Sequence, residues 1–289
     1  MIGRRVLPAA LAGVFAAPHL ARAGGGRLIT VGGAVTETVF ALGQGDSVVA
    51  VDSTSRFPAQ AADLRQVGYL RALAPEGLIG LAPDLLLVSE EAGPPQALAV
   101  LRAAGAPLTL VPDQAGLPAI LRKTEAIAAA LRQDGTALAR AVQDDWQALD
   151  APIAALRPLR AIFVLSAARG APLVSGRDTH ADVMLRAAGA SNVVRGFTGY
   201  RPLSAELAAS LAPEAVVMMD HALAEAGGPD ALLRIPALAV TPAAASRRIV
   251  AMDGAYMLNF GPRAAHARRD LAQRLHGAAL PALPARSWT

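Results

Sequence analysis

Two stretches of this chain share one pattern and together indicate its fold class. The first is LAPEGLIGLAPDLLLV, residues 73–88, and the second is LSAELAASLAPEAVVM, residues 203–218. In each stretch a glutamate comes seven residues before a proline, and an acidic residue and an apolar run follow that proline. This pattern predicts a short helix that ends at the proline, followed by a buried strand. Each half of the chain therefore contains the same unit of structure.

A second pair of segments supports the repeat. Residues 33–43 (GAVTETVFALG) and 176–189 (GRDTHADVMLRAAG) both begin and end with glycine and have apolar residues at helical spacing between. A strand-like run precedes each of them, at residues 28–31 and 161–165. Because strands alternate with helices in both halves, the sequence predicts an α/β protein with two Rossmann-like lobes, each built on a parallel sheet.

The segment between the two halves has apolar residues at helical spacing from residue 116 to residue 156. A helix of about 35 residues would extend about 50 Å, which is too long for one small lobe. We therefore expect one long rigid helix that joins the lobes, with Gly135 as its point of bending. The alternative is two shorter helices within a single domain. The predicted bounds are 24–114 for the N-terminal lobe, 115–157 for the linking helix and 158–289 for the C-terminal lobe.

Residues 1–23 have the features of a cleavable export signal. Arg4 and Arg5 form a charged start, residues 6–20 are largely apolar, and residues 21–23 (ARA) match an A-x-A cleavage site. The paired arginines partly match the signal of the twin-arginine route, so both that route and the general secretory route remain open.

Composition and charge exclude several classes of function. The chain has no cysteine, which excludes disulfides and thiolate chemistry. Without the three arginines of the predicted signal, 24 basic residues stand against 23 acidic ones. No basic run with interleaved aromatics occurs, so we expect no nucleic-acid binding. Beyond the N-terminus no apolar run reaches the roughly 18–20 residues of a membrane span, so we expect a soluble mature chain.

Motifs of common enzymes are absent from the sequence. Gly32 and Gly33 lack the G-x-G-x-x-G spacing of dinucleotide-binding enzymes, and no phosphate-binding G-x-x-x-x-G-K-[ST] loop occurs. Neither the G-x-S-x-G nucleophile turn nor the H-E-x-x-H zinc motif is found. An enzyme with two nucleotide-binding lobes is therefore the weaker alternative, and we expect a protein that is not an enzyme.

Four short motifs occur in order along the chain, and the sequence resembles a known family at these motifs. They are VGGAVTE at 31–37, VGYLRALAPEG at 67–77, EEAGPP at 90–95 and FGPR at 260–263. With them the chain resembles the haem-binding periplasmic proteins of bacterial ABC importers, in the helical-backbone class of substrate-binding proteins. The resemblance implies a monomeric carrier in the periplasm. It would hold haem in the cleft between its lobes and deliver it to an ABC permease dimer in the inner membrane.

The resemblance also points to a ligand for the haem iron. Ferric iron is a hard cation that prefers oxygen, and tyrosinate is a known haem ligand. Phenol ionises near pH 10, so the iron and a nearby cation must together favour the phenolate. We expect Tyr69 to be the axial ligand. Arg71 lies two residues on, so it would share a face with Tyr69 in an extended segment and support the ligand oxygen.

The second half has a similar arrangement in Gly199-Tyr200-Arg201, shortly before Glu206. By pseudo-symmetry Tyr200 would stack on the porphyrin or approach its far face, and Arg201 would meet a propionate. His180, at a predicted helix start, is a weaker candidate for the cleft. A turn at the lobe surface is the alternative for Tyr200 and Arg201.

The repeated glutamates need a separate explanation, because a carboxylate repels propionates. In the class that this chain resembles, one acidic residue of each lobe docks onto arginines of the two permease subunits. Glu76 and Glu206 have matched positions in the repeat and fit that role. The alternative is a glutamate that is favoured at a helix N-terminus by the helix dipole.

Within the same class, a siderophore or cobalamin carrier is the alternative to a haem carrier. Such a protein would have an arginine-rich or aromatic-lined cleft without an axial tyrosine.

Overall fold

A computed structural model describes residues 26–167 and 170–289. The predicted export signal, residues 1–23, lies outside these ranges. Within them the chain forms two β-sheets, one from each half. The strands of the first sheet are β1 (Leu28–Val31), β2 (Val48–Val51), β3 (Arg65–Gln66), β4 (Leu85–Ser89) and β5 (Leu108–Val111). Those of the second are β6 (Leu159–Ser166), β7 (Leu173–Ser175), β8 (Ala190–Asn192), β9 (Tyr200–Pro202), β10 (Ala215–Met219) and β11 (Ile249–Met252).

The first sheet is parallel throughout, with the strand order β3-β2-β1-β4-β5. All four residues of β1 are buried, as expected for a central strand with both faces covered. The helices of this lobe are α1 (Gly33–Ala41), α2 (Ala59–Ala62), α3 (Pro75–Ile79) and α4 (Pro95–Ala103). The N-terminal half therefore forms the predicted Rossmann-like lobe.

The second sheet is mixed, which differs from the predicted parallel sheet. Its main order is β11-β10-β6-β7-β9, and β7 runs antiparallel to both β6 and β9. Only residues 167–172 separate β6 from β7, and a parallel crossover needs a dozen or more residues. The helices of this lobe are α8 (His180–Ala187), α9 (Ala205–Leu211), α10 (Asp220–Glu225), α11 (Gly228–Leu233), α12 (Pro236–Ala239), α13 (Pro242–Ala245), α14 (Gly254–Leu258) and α15 (Ala264–His276).

The segment between the lobes is not the single continuous helix that the sequence predicts. It forms the helices α5 (Leu117–Leu131), α6 (Thr136–Gln147) and α7 (Asp150–Ala154). Helix α5 ends where Arg132 takes the left-handed conformation, with φ 55°. Helix α6 then packs back on α5, and Gly135 lies against Ala128 at the crossing. The break falls beside the glycine that the sequence indicates as a bending point.

Helix α5 nevertheless joins the two lobes. Ile120, in its first half, belongs to the apolar core of the second lobe. Ile127, two turns further on, belongs to the core between α5 and the first sheet. Both side chains are fully buried, so α5 is fixed to both cores. Among the described residues no helix has the length and apolarity that crossing a membrane requires.

The break between α5 and α6 can be tested at Gly135. A Cβ atom at this position would lie 2.8 Å from the Cβ of Ala128, so we expect Gly135→Ala to lower the free energy of unfolding by about 1–3 kcal/mol. Gly77, within α3, has open space around it, and Gly77→Ala should leave stability unchanged or slightly raised. Urea unfolding of both variants makes the comparison. In one continuous helix Gly135→Ala would instead stabilise the protein by about 1 kcal/mol.

Candidate ligand-binding site between the lobes

Tyr69 lies in the loop that follows β3, and hydrogen bonds of the backbone fix this loop. Gly68 has φ +97°, a conformation that glycine adopts without strain. Its carbonyl accepts a hydrogen bond of 2.8 Å from the amide of Ser53, in the neighbouring loop. The amide of Ala72 donates to the carbonyl of Tyr69 at 2.8 Å and closes a turn. The backbone is therefore fixed on both sides of Tyr69.

The turn that follows β4 holds the other side of the same loop. The Gly93 amide donates to the carbonyl of Leu70 at 2.8 Å, and the Leu73 amide donates to the carbonyl of Gly93 at 2.9 Å. Leu70 and Leu73 are buried, whereas Tyr69, just before them, is 47% exposed. No hydrogen bond of the Tyr69 hydroxyl occurs among the described residues. A fixed backbone thus presents an accessible phenol.

Arg71 is paired with a carboxylate that the sequence analysis does not single out. Its guanidinium forms a salt bridge with Glu91, in the turn after β4. The Arg71 side chain is 55% exposed and that of Glu91 is 34% exposed. Residues 69–72 form a turn and not the extended segment that would place Tyr69 and Arg71 on one face. Within the described ranges no hydrogen bond joins Arg71 to the Tyr69 hydroxyl, so the expected support of that oxygen by Arg71 stays a prediction.

Tyr200 belongs to the second lobe, and the charges of this ion pair affect its pKa. It begins β9, is partly buried and packs against the core of its lobe. Burial raises the pKa of Tyr200, and the negative charge of Glu91 raises it further. A hydrogen bond with Thr179 and the positive charge of Arg71 lower the pKa and partly offset this shift. Charges of the first lobe therefore act on a phenol of the second lobe, and the shared cleft expected from the sequence stays a prediction.

Arg201 follows Tyr200 in the same strand and therefore points to the opposite face of the sheet. It pairs in register with the buried Val174, and its guanidinium lies 5.3 Å from the ring centre of Phe197. It forms no salt bridge among the described residues. His180 begins α8, and its Nδ1 lies 3.1 Å from the carbonyl oxygen of Leu258. Neither contact was expected from the sequence.

The third tyrosine, Tyr256, is committed to a structural contact. Its hydroxyl donates to the Asp270 carboxylate at 3.0 Å. Burial raises the pKa of Tyr256 well above its ordinary value, and the charge of Asp270 adds to the shift. Of the three tyrosines, Tyr69 is the only exposed one.

Glu76 and Glu206 are both exposed and have matched positions, each in the first turn of its helix. Glu206 lies in the helix that Ser204 caps, and the Ser204 hydroxyl accepts the amide of Leu207. Its own backbone amide and the Ser204 hydroxyl lower the pKa of Glu206, so the carboxylate is charged at neutral pH. The equivalence that the repeat predicts is therefore present in the folded chain.

A buried lysine connects the cleft loops to the second lobe, and the sequence analysis missed it. Lys123, on α5, is 1% exposed, and its Nζ donates to Asp113 Oδ1 at 2.7 Å and to the carbonyl oxygen of Asn259 at 3.2 Å. Asp113 follows β5 of the first lobe and also accepts from the Ser89 hydroxyl at 2.6 Å. The available signal was that Lys123 is the only lysine in the sequence.

A second ion pair joins the lobes beside Lys123. Arg263 donates to both carboxylate oxygens of Glu37, at 3.1 and 2.7 Å. The Glu37 side chain is 5% exposed, and the guanidinium lies 3.4 Å from the ring centre of Phe57. Burial raises the pKa of Glu37, and the hydrogen bonds and charge of Arg263 oppose that shift. Two of the motifs that carry the family resemblance, VGGAVTE and FGPR, thus meet through these two residues.

Two α/β lobes that contact each other through buried ion pairs are the architecture of a two-lobed binding protein. A profile of the periplasmic binding protein family matches residues 28–256. The chain belongs to this family, and like the family it is a binding protein and not an enzyme. Members of this family act outside the cytoplasm, which agrees with the expected export.

The structure is similar to solved structures of several family members. The periplasmic haem-binding protein BhuT, solved with two haems, is 41% identical with a TM-score of 0.84, over 88% of this chain and 99% of that one. The haem-binding protein RhuT from Roseiflexus sp. RS-1, solved without haem, is 38% identical with a TM-score of 0.83 over the same shares. Among curated sequences, the vitamin B12-binding protein of Vibrio cholerae is 28% identical over 68% of this chain and 72% of its own length.

The buried pair of Lys123 and Asp113 should contribute strongly to stability. We expect Lys123→Met to lower the free energy of unfolding by about 3 kcal/mol, because it leaves a carboxylate uncompensated between the lobes. Adding Asp113→Asn should recover part of this loss, since the unpaired charge is then removed. The control is Arg157→Met, which breaks an exposed pair with Glu214 and should cost less than about 1 kcal/mol. Equal losses from Lys123→Met and the control, in urea unfolding, would contradict the role of the buried pair.

Proposed function

We propose that this chain captures ferric haem in the cleft between its lobes and delivers it to an ABC permease. The Tyr69 phenolate binds the iron, and Arg71 stabilises that phenolate. The observation that carries the proposal is that Tyr69 is exposed on a loop held by backbone hydrogen bonds, with the Arg71 guanidinium two residues further on. The similarity to haem-binding proteins at 41% and 38% identity, over most of both chains, supports haem as the ligand.

The chemistry of the cleft fits the three parts of a haem molecule. The hard ferric iron takes a phenolate oxygen, and a neighbouring cation favours the ionised phenol. The partly buried ring of Tyr200 offers an apolar face for the porphyrin. The Arg201 side chain is exposed on the face of β9 opposite Tyr200, so it would meet a propionate only at the edge of the cleft.

A cobalamin carrier is the alternative within the family, and the curated vitamin B12-binding relatives favour it. The vitamin B12-binding protein of Vibrio cholerae is 28% identical and its match covers 68% of this chain. The haem-binding protein BhuT is 41% identical and its match covers 88% of this chain. A corrinoid brings its own axial ligands and does not need a protein phenolate. The exposed Tyr69 hydroxyl therefore favours haem.

Delivery requires export and docking. Residues 1–23 would direct the chain to the periplasm, by the general secretory or the twin-arginine route. The mature protein would act as a monomer, with lobes at 24–114 and 158–289 and the linking helices at 115–157. Glu76 and Glu206 would each contact one subunit of a permease dimer, since they are exposed at equivalent positions of the two lobes.

Absorption spectroscopy with haemin tests the binding site. The purified parent should give a high-spin ferric spectrum with a phenolate-to-iron charge-transfer band, and Tyr69→Phe should lose that band. Because Tyr69 is exposed, this change removes one oxygen without a packing defect. The control is Tyr200→Phe, which removes the other cleft phenol and should retain the band. A Tyr69→Phe spectrum like that of the parent would move the iron ligand elsewhere, and binding of cyanocobalamin instead of haemin would favour the alternative.

Transport tests the docking role. The double variant Glu76→Ala with Glu206→Ala should bind haemin like the parent but fail to drive uptake into vesicles that contain the importer, because two charge contacts with the permease are lost. Two exposed glutamates elsewhere give the control, Glu125→Ala with Glu225→Ala, which should sustain normal uptake. Normal uptake by the first double variant would refute the assignment of both glutamates.

A further inference from the structure

Glu91 connects Arg71 to the rigid part of the molecule. Its carboxylate forms the salt bridge with Arg71, and its backbone amide donates to the Ser89 hydroxyl at 3.2 Å. That hydroxyl donates in turn to Asp113 at 2.6 Å, and Asp113 accepts from the buried Lys123 at 2.7 Å. An uninterrupted series of polar contacts therefore runs from the base of the cleft to the guanidinium beside Tyr69.

The pairing leaves Arg71 able to act on a ligand. A guanidinium has five N–H donors in a planar fork, and the contact with Glu91 uses the Nη2 nitrogen. The remaining donors are available to an oxygen on the other side of the fork. An arginine that is 55% exposed would otherwise sample many rotamers, and fixing it would cost side-chain entropy. A carboxylate that already holds the side chain reduces this cost.

We propose that Glu91 is a positioning residue, which holds Arg71 so that its guanidinium stabilises the Tyr69 phenolate in the haem complex. Glu91 itself touches neither the iron nor its ligand oxygen and acts through Arg71 alone. This inference rests on the proposed function, because it assigns Arg71 the same task at the same site.

The neighbouring glutamate provides a matched control. Glu90 belongs to the same turn but is exposed, and its carboxylate has one contact among the described side chains, a long 3.5 Å approach of the Gln114 amide. Glu90→Gln and Glu91→Gln make the same chemical change at consecutive positions. Only the second removes the ion pair with Arg71.

The experiment compares Glu91→Gln, Glu90→Gln, Arg71→Gln and the double variant Arg71→Gln with Glu91→Gln, all loaded with haemin. Two properties are measured: the wavelength of the phenolate-to-iron charge-transfer band, and the rate of haemin loss to apomyoglobin. Glu91→Gln should shift the band in the same direction as Arg71→Gln and accelerate haemin loss roughly fivefold. Glu90→Gln should match the parent. In the Arg71→Gln background, the change at Glu91 should have no further effect on either property.

Two results would overturn the role of Glu91: a Glu91→Gln variant that behaves like Glu90→Gln, or an effect of equal size with and without Arg71. The second would indicate a contribution to the fold of the turn that does not pass through Arg71. The Tyr69→Phe variant separates this failure from a failure of the proposed function. If that variant keeps the band of the parent, both assignments are overturned; if it loses the band, the result at Glu91 bears on Glu91 alone.

Discussion

The buried ammonium group of Lys123 is the contact on which the arrangement of the two lobes depends. It lies on a helix that is anchored in both cores, and it binds a carboxylate of the first lobe and a backbone carbonyl of the second. Charges this deeply buried cannot separate without leaving one of them uncompensated, which is costly. Beside it, Glu37 and Arg263 form a second buried contact between the lobes. With two such pairs between the lobes, we expect only a small closure when ligand binds.

The tyrosines that the two lobes contribute, Tyr69 and Tyr200, have different surroundings and therefore suit different roles. The first lobe presents Tyr69 on a loop that four backbone hydrogen bonds hold, with the ion pair of Arg71 and Glu91 beside it. The second lobe presents Tyr200, which is partly buried and has a raised pKa, because burial disfavours its ionised form. An accessible phenol next to a guanidinium suits a metal ligand, whereas a buried neutral phenol suits contact with a flat apolar ring. The two halves are similar in sequence, but their tyrosines Tyr69 and Tyr200 thus differ in exposure and in chemistry.

The repeat at residues 73–88 and 203–218 predicted two α/β lobes because it is a local pattern of helix, proline and strand. Features that depend on contacts distant in sequence were not predictable in the same way. The turn at Arg132 forms because α6 packs back on α5. The apolar residues keep their helical spacing through this turn, so Gly135 is the only sign of it in the sequence of the segment. The salt bridge of Arg71 with Glu91 joins loops after two different strands, and no spacing rule connects them. Conversely, Tyr69 could be named as a candidate from the family resemblance, and Glu76 and Glu206 from the repeat, and their roles stay predictions.

The central claim is that the Tyr69 phenolate binds the haem iron. Resonance Raman spectroscopy of the haemin complex tests it directly when the protein is made with ring-deuterated tyrosine, since excitation in the charge-transfer band enhances the vibrations of an iron-bound phenolate. The account predicts phenolate modes that shift on deuteration in the parent and are lost in Tyr69→Phe. A spectrum without such modes, unchanged by the label, would contradict it.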